Sequence, residues 1–485
     1  MRNASRGAWR DEAQDAQLHA DALALFSVMW ALAAVWHLLG NPGGAPAPAR
    51  ALLTLGVCLV LWRPGAVAPL GILAVASLAM VWGEAPVLGN HWLLVGFVDL
   101  GVVASIVVGF ARGRPWDQDA LARRLLPVAR LCLLAFYVFA AFAKLNSAFF
   151  DRSVSCAVFY FRESSSSLGL GGLQLGGAAW VEWAAIVGTA AIELSIPVLL
   201  LWRRTRHLGV VVGLLFHGLL ALDRSHQFFD FSSVLAALFV LFLPPEAGSW
   251  VAERAGSVRA RLSLRHERSP SIVHAVLVAM PVVVAAACTL DLLDGQQAVD
   301  LGWIAWQAYT VVVILAVLRF LGARAPVAEH ALRPAHALLL AVPVLVVLNG
   351  LTPYLELKTG YGFNMYANLR TVDGDSNHFL VRATLPLTHE QADLVRIVST
   401  DAPGLQRYAQ NDYGLTWRQL RAFLAQHPEV AITYERAGER VVLEHAADDP
   451  ELVQTVPAWL EKVQLFRPVD LTSPERCVTT FGPAR

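Results

Sequence analysis

Charged side chains are scarce in this sequence of 485 residues. Asp, Glu, Lys and Arg make up 16% of it and hydrophobic residues 56%, whereas a soluble domain is about a quarter charged. A chain this apolar cannot cover its own core with polar surface, so the composition excludes an ordinary soluble protein. The formal net charge is zero, so the charge balance gives no indication of nucleic acid or acidic partners, and no nucleic-acid partner is predicted.

Cysteine is also rare, which excludes a disulfide scaffold. The five cysteines are widely scattered, and none has the spacing of a metal ligand set, so no metal is predicted. They are Cys58, Cys132, Cys156, Cys288 and Cys477.

Lysine is nearly absent, although arginine is common. Of 38 basic residues only Lys144, Lys358 and Lys462 are lysine, and Lys144 is the one beside a long apolar run. A lysine in an apolar site loses solvation of its charged form, so its pKa falls and it can act as a base, which arginine cannot do. The alternative is a lysine that anchors a helix end at the membrane interface, and the sequence leaves both interpretations open.

Long apolar runs bounded by charged or turn residues predict about eleven transmembrane helices. The first run is too long for a cleaved signal peptide and lacks a convincing small-residue cleavage site. The predicted fold class is therefore an all-α polytopic membrane bundle with a small α+β domain at the C-terminus. The runs begin near Ala22, Ala51, Val67, His91, Leu125, Trp180, Leu208, Phe228, Ile272, Leu301 and Ala335.

Arginines mark alternate loops and so predict the orientation. Cytoplasmic loops of membrane proteins carry the excess of Lys and Arg, which places the N-terminus in the cytoplasm of a cell-membrane protein. An odd number of spans then places the C-terminus outside. The arginine-bearing stretches are residues 2–10, 63, 112–124, 203–206, 254–268 and 324–333.

Three domains are expected from these patterns. Residues 1–20 form a cytoplasmic segment, residues 21–355 the transmembrane domain and residues 356–485 an extracytoplasmic α+β domain. Alternating patterns in this last domain predict strands, and amphipathic patterns predict helices. The strands are expected at residues 379–385, 430–435 and 440–444, and the helices at 417–425 and 451–462.

The segment of residues 146–179 is too apolar and glycine-rich for an ordinary exposed loop. It is interpreted either as an irregular or re-entrant stretch covered by protein or as a flexible loop. The sequence favours neither interpretation over the other.

Ionisable residues inside spans are costly, so they are functional candidates by default. Asp99, Lys144, Glu193 and His217 meet this criterion, and His91 begins the fourth span. The predicted topology places Lys144, His91 and His217 in the outer leaflet. For the histidines the alternatives are backbone bonding at the interface for His91 and packing across helices for His217, whereas Asp99 and Glu193 could be protonated carboxyls or partners of a cation.

Two cysteines fall on the outer side in this topology. Cys156 and Cys477 could form a disulfide in an oxidising compartment, and the sequence leaves this pairing open.

The stretch of residues 137–161, YVFAAFAKLNSAFFDRSVSCAVFYF, resembles the signature of the horizontally transferred transmembrane domain. Vitamin K-dependent gamma-carboxylases and many bacterial homologues share that domain. The resemblance extends from about residue 20 to residue 480, and the order and spacing of its motifs make it more specific than any one of them. The further motifs are Asn90-His91, residues 192–197 (IELSIP), Phe216-His217, Phe231-Ser232, residues 364–378 (NMYANLRTVDGDSNH) and residues 466–477 (FRPVDLTSPERC).

The resemblance implies an enzyme that uses reduced vitamin K or another membrane quinol. In that family, the lysine matching Lys144 is the base on the quinol, and oxygenation yields a strong base that takes a proton from a glutamate side chain. The carbanion then captures carbon dioxide. His91 is implied as a second proton-handling group, and Asn90, Glu193 and His217 as substrate- or cofactor-binding residues.

The implied partners are the membrane lipid or quinol and an extracytoplasmic protein or peptide substrate. The animal carboxylases have a long C-terminal region that recognises a propeptide, whereas a short domain follows the spans here. A different hypothesis is a non-enzymatic maturation or immunity partner for a secreted peptide. A transporter is less favoured, because no paired interrupted spans mark two matching halves.

Overall fold

The computed structural model describes residues 2–41, 44–171, 177–263, 292–323 and 332–479, with isolated positions 279, 283–284 and 287. The described chain is mostly helical, and its β-strands lie in the C-terminal part. The helices are α1 (Arg2–Gly40), α2 (Ala47–Trp62), α3 (Val67–Glu84), α4 (Asn90–Ala111), α5 (Gln118–Phe142), α6 (Cys156–Ser167), α7 (Ala179–Leu201), α8 (Arg206–Leu220), α9 (Phe228–Phe239), α10 (Glu246–Ser263), α11 (Gly295–Ala323), α12 (Ala341–Leu351), α13 (Pro403–Asn411), α14 (Trp417–Leu424) and α15 (Ala458–Val463).

Several of these helices are long and apolar enough to cross a membrane. Within the described residues there are six, namely α1 from Glu12 onward, α3, α4, α5, α7 and α11. A seventh candidate is the pair formed by Phe228–Phe242 and Glu246–Ser257, which is bent by 111°. The shorter apolar helices are α2, α8 and the stretch Ala337–Leu351. A multi-pass helical membrane protein is therefore supported by length and composition.

Ten of the eleven predicted span positions coincide with a helix. The run from Ile272 lies outside the described residues. Helices α2 and α8 have 16 and 15 residues, below the length that crosses a bilayer without tilt or thinning. The count of eleven spans therefore stays a prediction.

The chain divides into two compact units that interleave along the sequence. The first comprises Met1–Glu84, His91–Ala135 and Ser195–Val346, and the second Ala85–Asn90, Phe136–Leu194 and Val347–Arg485. The predicted domain boundaries at residues 20 and 355 stay a prediction, because these units reflect packing and not the position of a membrane.

The first unit is a helical bundle built around α1. This helix packs against α2, α9, α10 and α11, while α2 also packs on α3, and α8 packs on α9 and α11. Small residues allow the closest approaches: a Cβ on Gly213 of α8 would lie 2.4 Å from the ring of Phe239. Large rings such as Phe26, Trp92 and Phe229 fill the interior.

The second unit contains a five-stranded antiparallel sheet with strand order β6-β5-β3-β4-β7. Its core is made by alternate residues of the strands, such as Val395 and Ile397, and by the apolar faces of α13 and α14, which contribute Leu405 and Leu420. A separate hairpin is formed by β1 and β2. The strands are β1 (Thr371–Val372), β2 (Asp375–Ser376), β3 (Leu394–Thr400), β4 (Tyr413–Thr416), β5 (Ile432–Arg436), β6 (Glu439–Leu443) and β7 (Val469–Asp470).

Two sequence-based expectations in this region are wrong. Residues 379–385 form no regular strand, because the backbone N–H groups of Phe379 and Leu385 bond to the carbonyls of Leu145 and Tyr354 instead of a strand ladder. Helix α15 covers only Ala458–Val463 of the predicted residues 451–462. Pro457 precedes it, and proline favours helix starts while disfavouring helix in the residue before it.

The glycine-rich segment of residues 146–179 contains helix α6, whose N-terminus is capped by the Ser155 hydroxyl. Cys156, the first residue of α6, forms a disulfide with Cys477. Residues 172–176 of this segment lie outside the described residues.

Candidate functional site

Lys144 forms a buried ion pair in the second unit. Its Nζ lies 2.8 Å from Glu193 Oε2, and the residue is 4% exposed. The ammonium also donates to the carbonyls of Ala140 at 3.3 Å and Met365 at 3.4 Å. The rare lysine thus has a specific carboxylate partner and does not extend along an open helix end.

The position of Lys144 is fixed by the turn that ends α5. That helix ends at Phe142, and Lys144 follows in a hydrogen-bonded turn. The buried Asn146 side chain donates to the carbonyls of Ala143 and Ala367, and its Oδ1 accepts the N–H of Phe149. These bonds fix the backbone before and after Lys144, at Ala143 and Phe149, and tie it to Ala367.

Two opposing effects act on this pair. Burial removes water from both ionic groups and disfavours their charged forms, whereas each charge stabilises the other. An amine and a carboxylate in contact can therefore hold one proton between them.

Asn90 also lies in the second unit and is buried. Its Oδ1 accepts the backbone N–H of Phe363 at 2.8 Å. Phe363 has a positive φ of 58°, a conformation that costs energy for a non-glycine residue and clusters at functional sites. The observed role of the Asn90 side chain is to hold this strained backbone.

A second cluster of ionisable side chains lies inside the first unit. Asp230 Oδ2 is 2.8 Å from His37 Nδ1 and 2.9 Å from His91 Nε2. The other ring nitrogen of His37, Nε2, is 2.8 Å from Glu84 Oε1. His37, Glu84 and Asp230 are each less than 9% exposed, so this is a buried network of two imidazoles and two carboxylates.

Aromatic rings hold the two imidazoles of this cluster. The ring of Trp92 stacks on His37 with centroids 3.6 Å apart and planes 11° apart. Phe231 meets His91 edge to face at 5.6 Å. The ring orientations are therefore fixed by packing as well as by hydrogen bonds.

His217 is close to this cluster through a shared aromatic neighbour. Its ring lies 5.0 Å from that of Phe231, the residue that also contacts His91. Its backbone carbonyl accepts the Ser232 hydroxyl, so Phe231 and Ser232, which belong to one sequence motif, both contact His217.

Asp99 belongs to a different contact in the first unit. Its Oδ1 accepts the indole N–H of Trp30 at 2.9 Å, and the residue is fully buried. The Asp99 carboxyl group thus has a hydrogen-bond donor from another helix, α1.

The predicted site residues therefore fall into two groups. Lys144, Glu193 and Asn90 belong to the second unit, and His91 and His217 to the first. A site shared by Lys144 and His91 stays a prediction.

Sequence reasoning missed His37, Glu84 and Asp230. Each is an ionisable residue within or at the end of an apolar run, at residues 23–39, 67–84 and 228–243. The criterion that selected Asp99 and Glu193 would have found them. Their convergence on one point could not be read from positions so far apart in the chain.

No family model matches this chain, and neither the curated proteins nor the solved structures contain a match to it.

Proposed function

We propose that this chain is a multi-pass membrane enzyme that resembles vitamin K-dependent gamma-carboxylase. It would use a reduced quinone to drive epoxidation-linked carboxylation of glutamate in an extracytoplasmic substrate. The observation that carries the proposal is the buried contact between Lys144 and Glu193. The chain has 35 arginines, yet a lysine forms this buried pair. A lysine amine can release and take up a proton, which an arginine guanidinium cannot do.

The pair has the chemistry of a proton acceptor. When it holds one proton between amine and carboxylate, it can take up a second and become an ammonium beside a carboxylic acid. In the second form the ammonium keeps its hydrogen bonds to the Ala140 and Met365 carbonyls. A weakly acidic hydroxyl held against the pair would be deprotonated in this way.

These residues suit the hydroxyl of a quinol. The amine and the carboxylate offer one donor and one acceptor side by side, which matches a group that both donates and accepts. A bound reduced quinone would supply, on oxygenation, the base strong enough to remove a carbon-bound proton from glutamate.

The resemblance assigns roles to three further residues. Asn90 would hold the backbone at Phe363, and His217 would pack against Phe231. His91 is the second proton-handling group that the resemblance implies, and Asp230 orients it through Nε2.

The proposed topology has eleven spans, a cytoplasmic N-terminus and an extracytoplasmic C-terminal domain. The arginine-bearing loops support it through the positive-inside rule. The disulfide between Cys156 and Cys477 supports it independently, since disulfides persist in oxidising compartments. Reporter fusions that are active only inside or only outside the cell, placed after residues 20 and 355, would test both ends of the predicted transmembrane domain.

The test of the activity is Lys144→Arg in the purified full chain, reconstituted in lipid vesicles. Hydroquinone forms of vitamin K, menaquinone and ubiquinone are supplied with oxygen, and quinone epoxide is measured by chromatography. We expect epoxide from the wild type and at least a hundredfold less from Lys144→Arg, since general-base catalysis contributes about 10²–10⁴-fold. Lys462→Arg is the matched control, because the half-buried Lys462 donates to the Ala85 carbonyl and a guanidinium can donate there as well.

Two results would contradict the proposal. A fully active Lys144→Arg variant would show that Lys144 is not the base. A wild type that forms no epoxide from any of the three hydroquinones would show that the protein does not catalyse the proposed reaction. Tolerance at Lys144 together with a defined partner in pull-down experiments would favour the non-enzymatic maturation or immunity role.

A further inference from the structure

We propose that His37, His91 and Asp230 bind a divalent first-row transition metal ion. This inference does not rest on the proposed carboxylation, because the three ligands lie within the first unit and their geometry is independent of Lys144. It assigns to the chain a metal site that the sequence spacing did not reveal.

The ligand atoms of the three residues converge on one point. One ligand atom from each of the three residues lies within 4.8 Å of the other two, and Asp230 Oδ2 is within 2.9 Å of both imidazole nitrogens. Ligand atoms around a four-coordinate ion with metal–nitrogen distances of about 2.0–2.1 Å are about 3.4 Å apart. The two distances from Asp230 Oδ2 to the imidazole nitrogens would therefore lengthen by about half an ångström to admit an ion.

The His37 ring has one N–H too few for its two carboxylate neighbours when it is neutral. Both ring nitrogens of His37 face carboxylate oxygens at 2.8 Å, but a neutral imidazole carries only one N–H. Two buried carboxylates also need compensating charge. A divalent cation bound by His37 Nδ1 leaves Nε2–H free to donate to Glu84, and it balances both carboxylates with both imidazoles neutral.

One carboxylate oxygen of Asp230 lacks a hydrogen-bond donor. Asp230 is 6% exposed, and its Oδ1 has no hydrogen-bond partner among the described residues. A buried carboxylate oxygen without a donor is costly. A metal ion held in a bidentate manner, or a water on that ion, would satisfy it.

The surroundings match those of a metal-binding histidine. Such histidines usually donate their second ring N–H to a carboxylate, which fixes the tautomer and the ring orientation. Glu84 takes this position for His37, and the stacked Trp92 ring limits its rotation. Two imidazoles and one carboxylate suit zinc or iron(II) and leave a coordination position for water or a substrate.

The competing interpretation is a metal-free network in which His37 is an imidazolium between Glu84 and Asp230. In that case His91 keeps its Nε2–H and can move protons. With a metal bound, His91 Nε2 is a ligand, so the two interpretations assign different roles to His91.

The experiment is metal binding by the purified full chain in detergent. The protein is stripped with a chelator and titrated separately with Zn²⁺, Fe²⁺ under anaerobic conditions, Mn²⁺ and Co²⁺, and the metal content is measured after gel filtration. We expect one equivalent of at least one ion in the wild type. Asp230→Asn and His91→Gln should lose it, and Glu84→Gln should weaken it about 10–100-fold while one equivalent still binds at saturation.

Asp99→Asn is the matched control, because it removes another fully buried carboxyl of the same unit that contacts Trp30. If the ligand variants fail to insert, X-ray absorption of the wild-type complex decides instead, with two imidazoles expected at about 2.0–2.1 Å. Binding that survives in Asp230→Asn, no ion bound by the wild type, or a first shell without imidazole would each overturn the proposal.

Discussion

Lys144 Nζ lies 2.8 Å from Glu193 Oε2, and it joins the turn after α5 to helix α7 within the second unit. They are separated by 49 positions in a chain that otherwise uses arginine for positive charge. Burying such a pair costs desolvation free energy, and removing one partner costs more because the other charge then stays buried alone. That asymmetry gives the contact measurable consequences for stability.

Glu193→Gln should destabilise the protein by about 3–5 kcal/mol, because it leaves the Lys144 ammonium buried without its charge partner. Denaturant unfolding in micelles, followed by circular dichroism, measures this. The double variant Lys144→Met with Glu193→Gln should be less destabilised than the sum of the two single variants.

Glu429→Gln is the control for the loss of one carboxylate. Its side chain is 72% exposed and faces His427 at 3.7 Å, so its removal should change stability by less than about 0.5 kcal/mol. A change at Glu193 as small as that at Glu429 would contradict a buried ion pair.

The imidazole of His378 should make the second unit less stable in mild acid. Its Nδ1 accepts the backbone N–H groups of Leu380 and Val381, and its Nε2 lies 2.8 Å from the Phe142 carbonyl. This pattern requires the neutral ring with its proton on Nε2. Burial lowers the pKa of His378, and its hydrogen bond to the Phe142 carbonyl acts in the opposite direction.

The direction of this pH dependence follows from the number of protons that the folded and unfolded chains bind. With a folded pKa below the unfolded value of about 6.5, the unfolded chain binds more protons in the window between the two values. Stability therefore rises with pH through that window and is lost as the pH falls below about 6.5.

Thermal unfolding at about pH 5 and about pH 7.5 measures this difference. His378→Asn, whose amide oxygen can accept in place of Nδ1, should reduce the difference. The exposed His445 changed to Asn should leave it unchanged. An equal pH response in wild type and His378→Asn would rule this role out.

The disulfide between Cys156 and Cys477 should stabilise the second unit. Disulfides typically contribute about 2–4 kcal/mol, mainly by restricting the unfolded chain. Cys156→Ala with Cys477→Ala should therefore unfold at lower temperature than the wild type, and reducing agent should lower the wild-type midpoint to that of the variant. Cys58→Ala is the control, because Cys58 is a free thiol. A wild-type midpoint that does not respond to reduction would contradict this prediction.

The long apolar runs carried most of the fold prediction, because a membrane helix is a local feature of about 20 residues. The amphipathic patterns of β5, β6 and α14 were equally local, and the structure has these elements close to the predicted positions. Strand β3 is central in its sheet, yet no strand is predicted at residues 394–400. Residues 379–385 alternate like a strand, but they form only an isolated bridge between Ala383 and Asp375, and the N–H groups of Phe379 and Leu385 bond to the carbonyls of Leu145 and Tyr354.

In the candidate site, too, the local features are predictable from the sequence and the long-range contacts are not. Lys144 and Glu193 were selected because each violates the apolar character of its surroundings. Their contact, and the meeting of His37, His91 and Asp230, depends on tertiary packing between segments up to 193 positions apart. Local patterns carry no information on such distances, so the metal site could not be inferred from spacing.

The disulfide also has a consequence for biosynthesis. Cys156 and Cys477 are 321 positions apart, and ribosomes add roughly 5–20 residues per second. The thiol of Cys156 therefore emerges roughly 15–65 s before its partner exists. During that interval the Cys156 thiol cannot form its native disulfide. Closure of this bond can serve as a chemical record that translation has passed residue 477 and that the second unit is assembled.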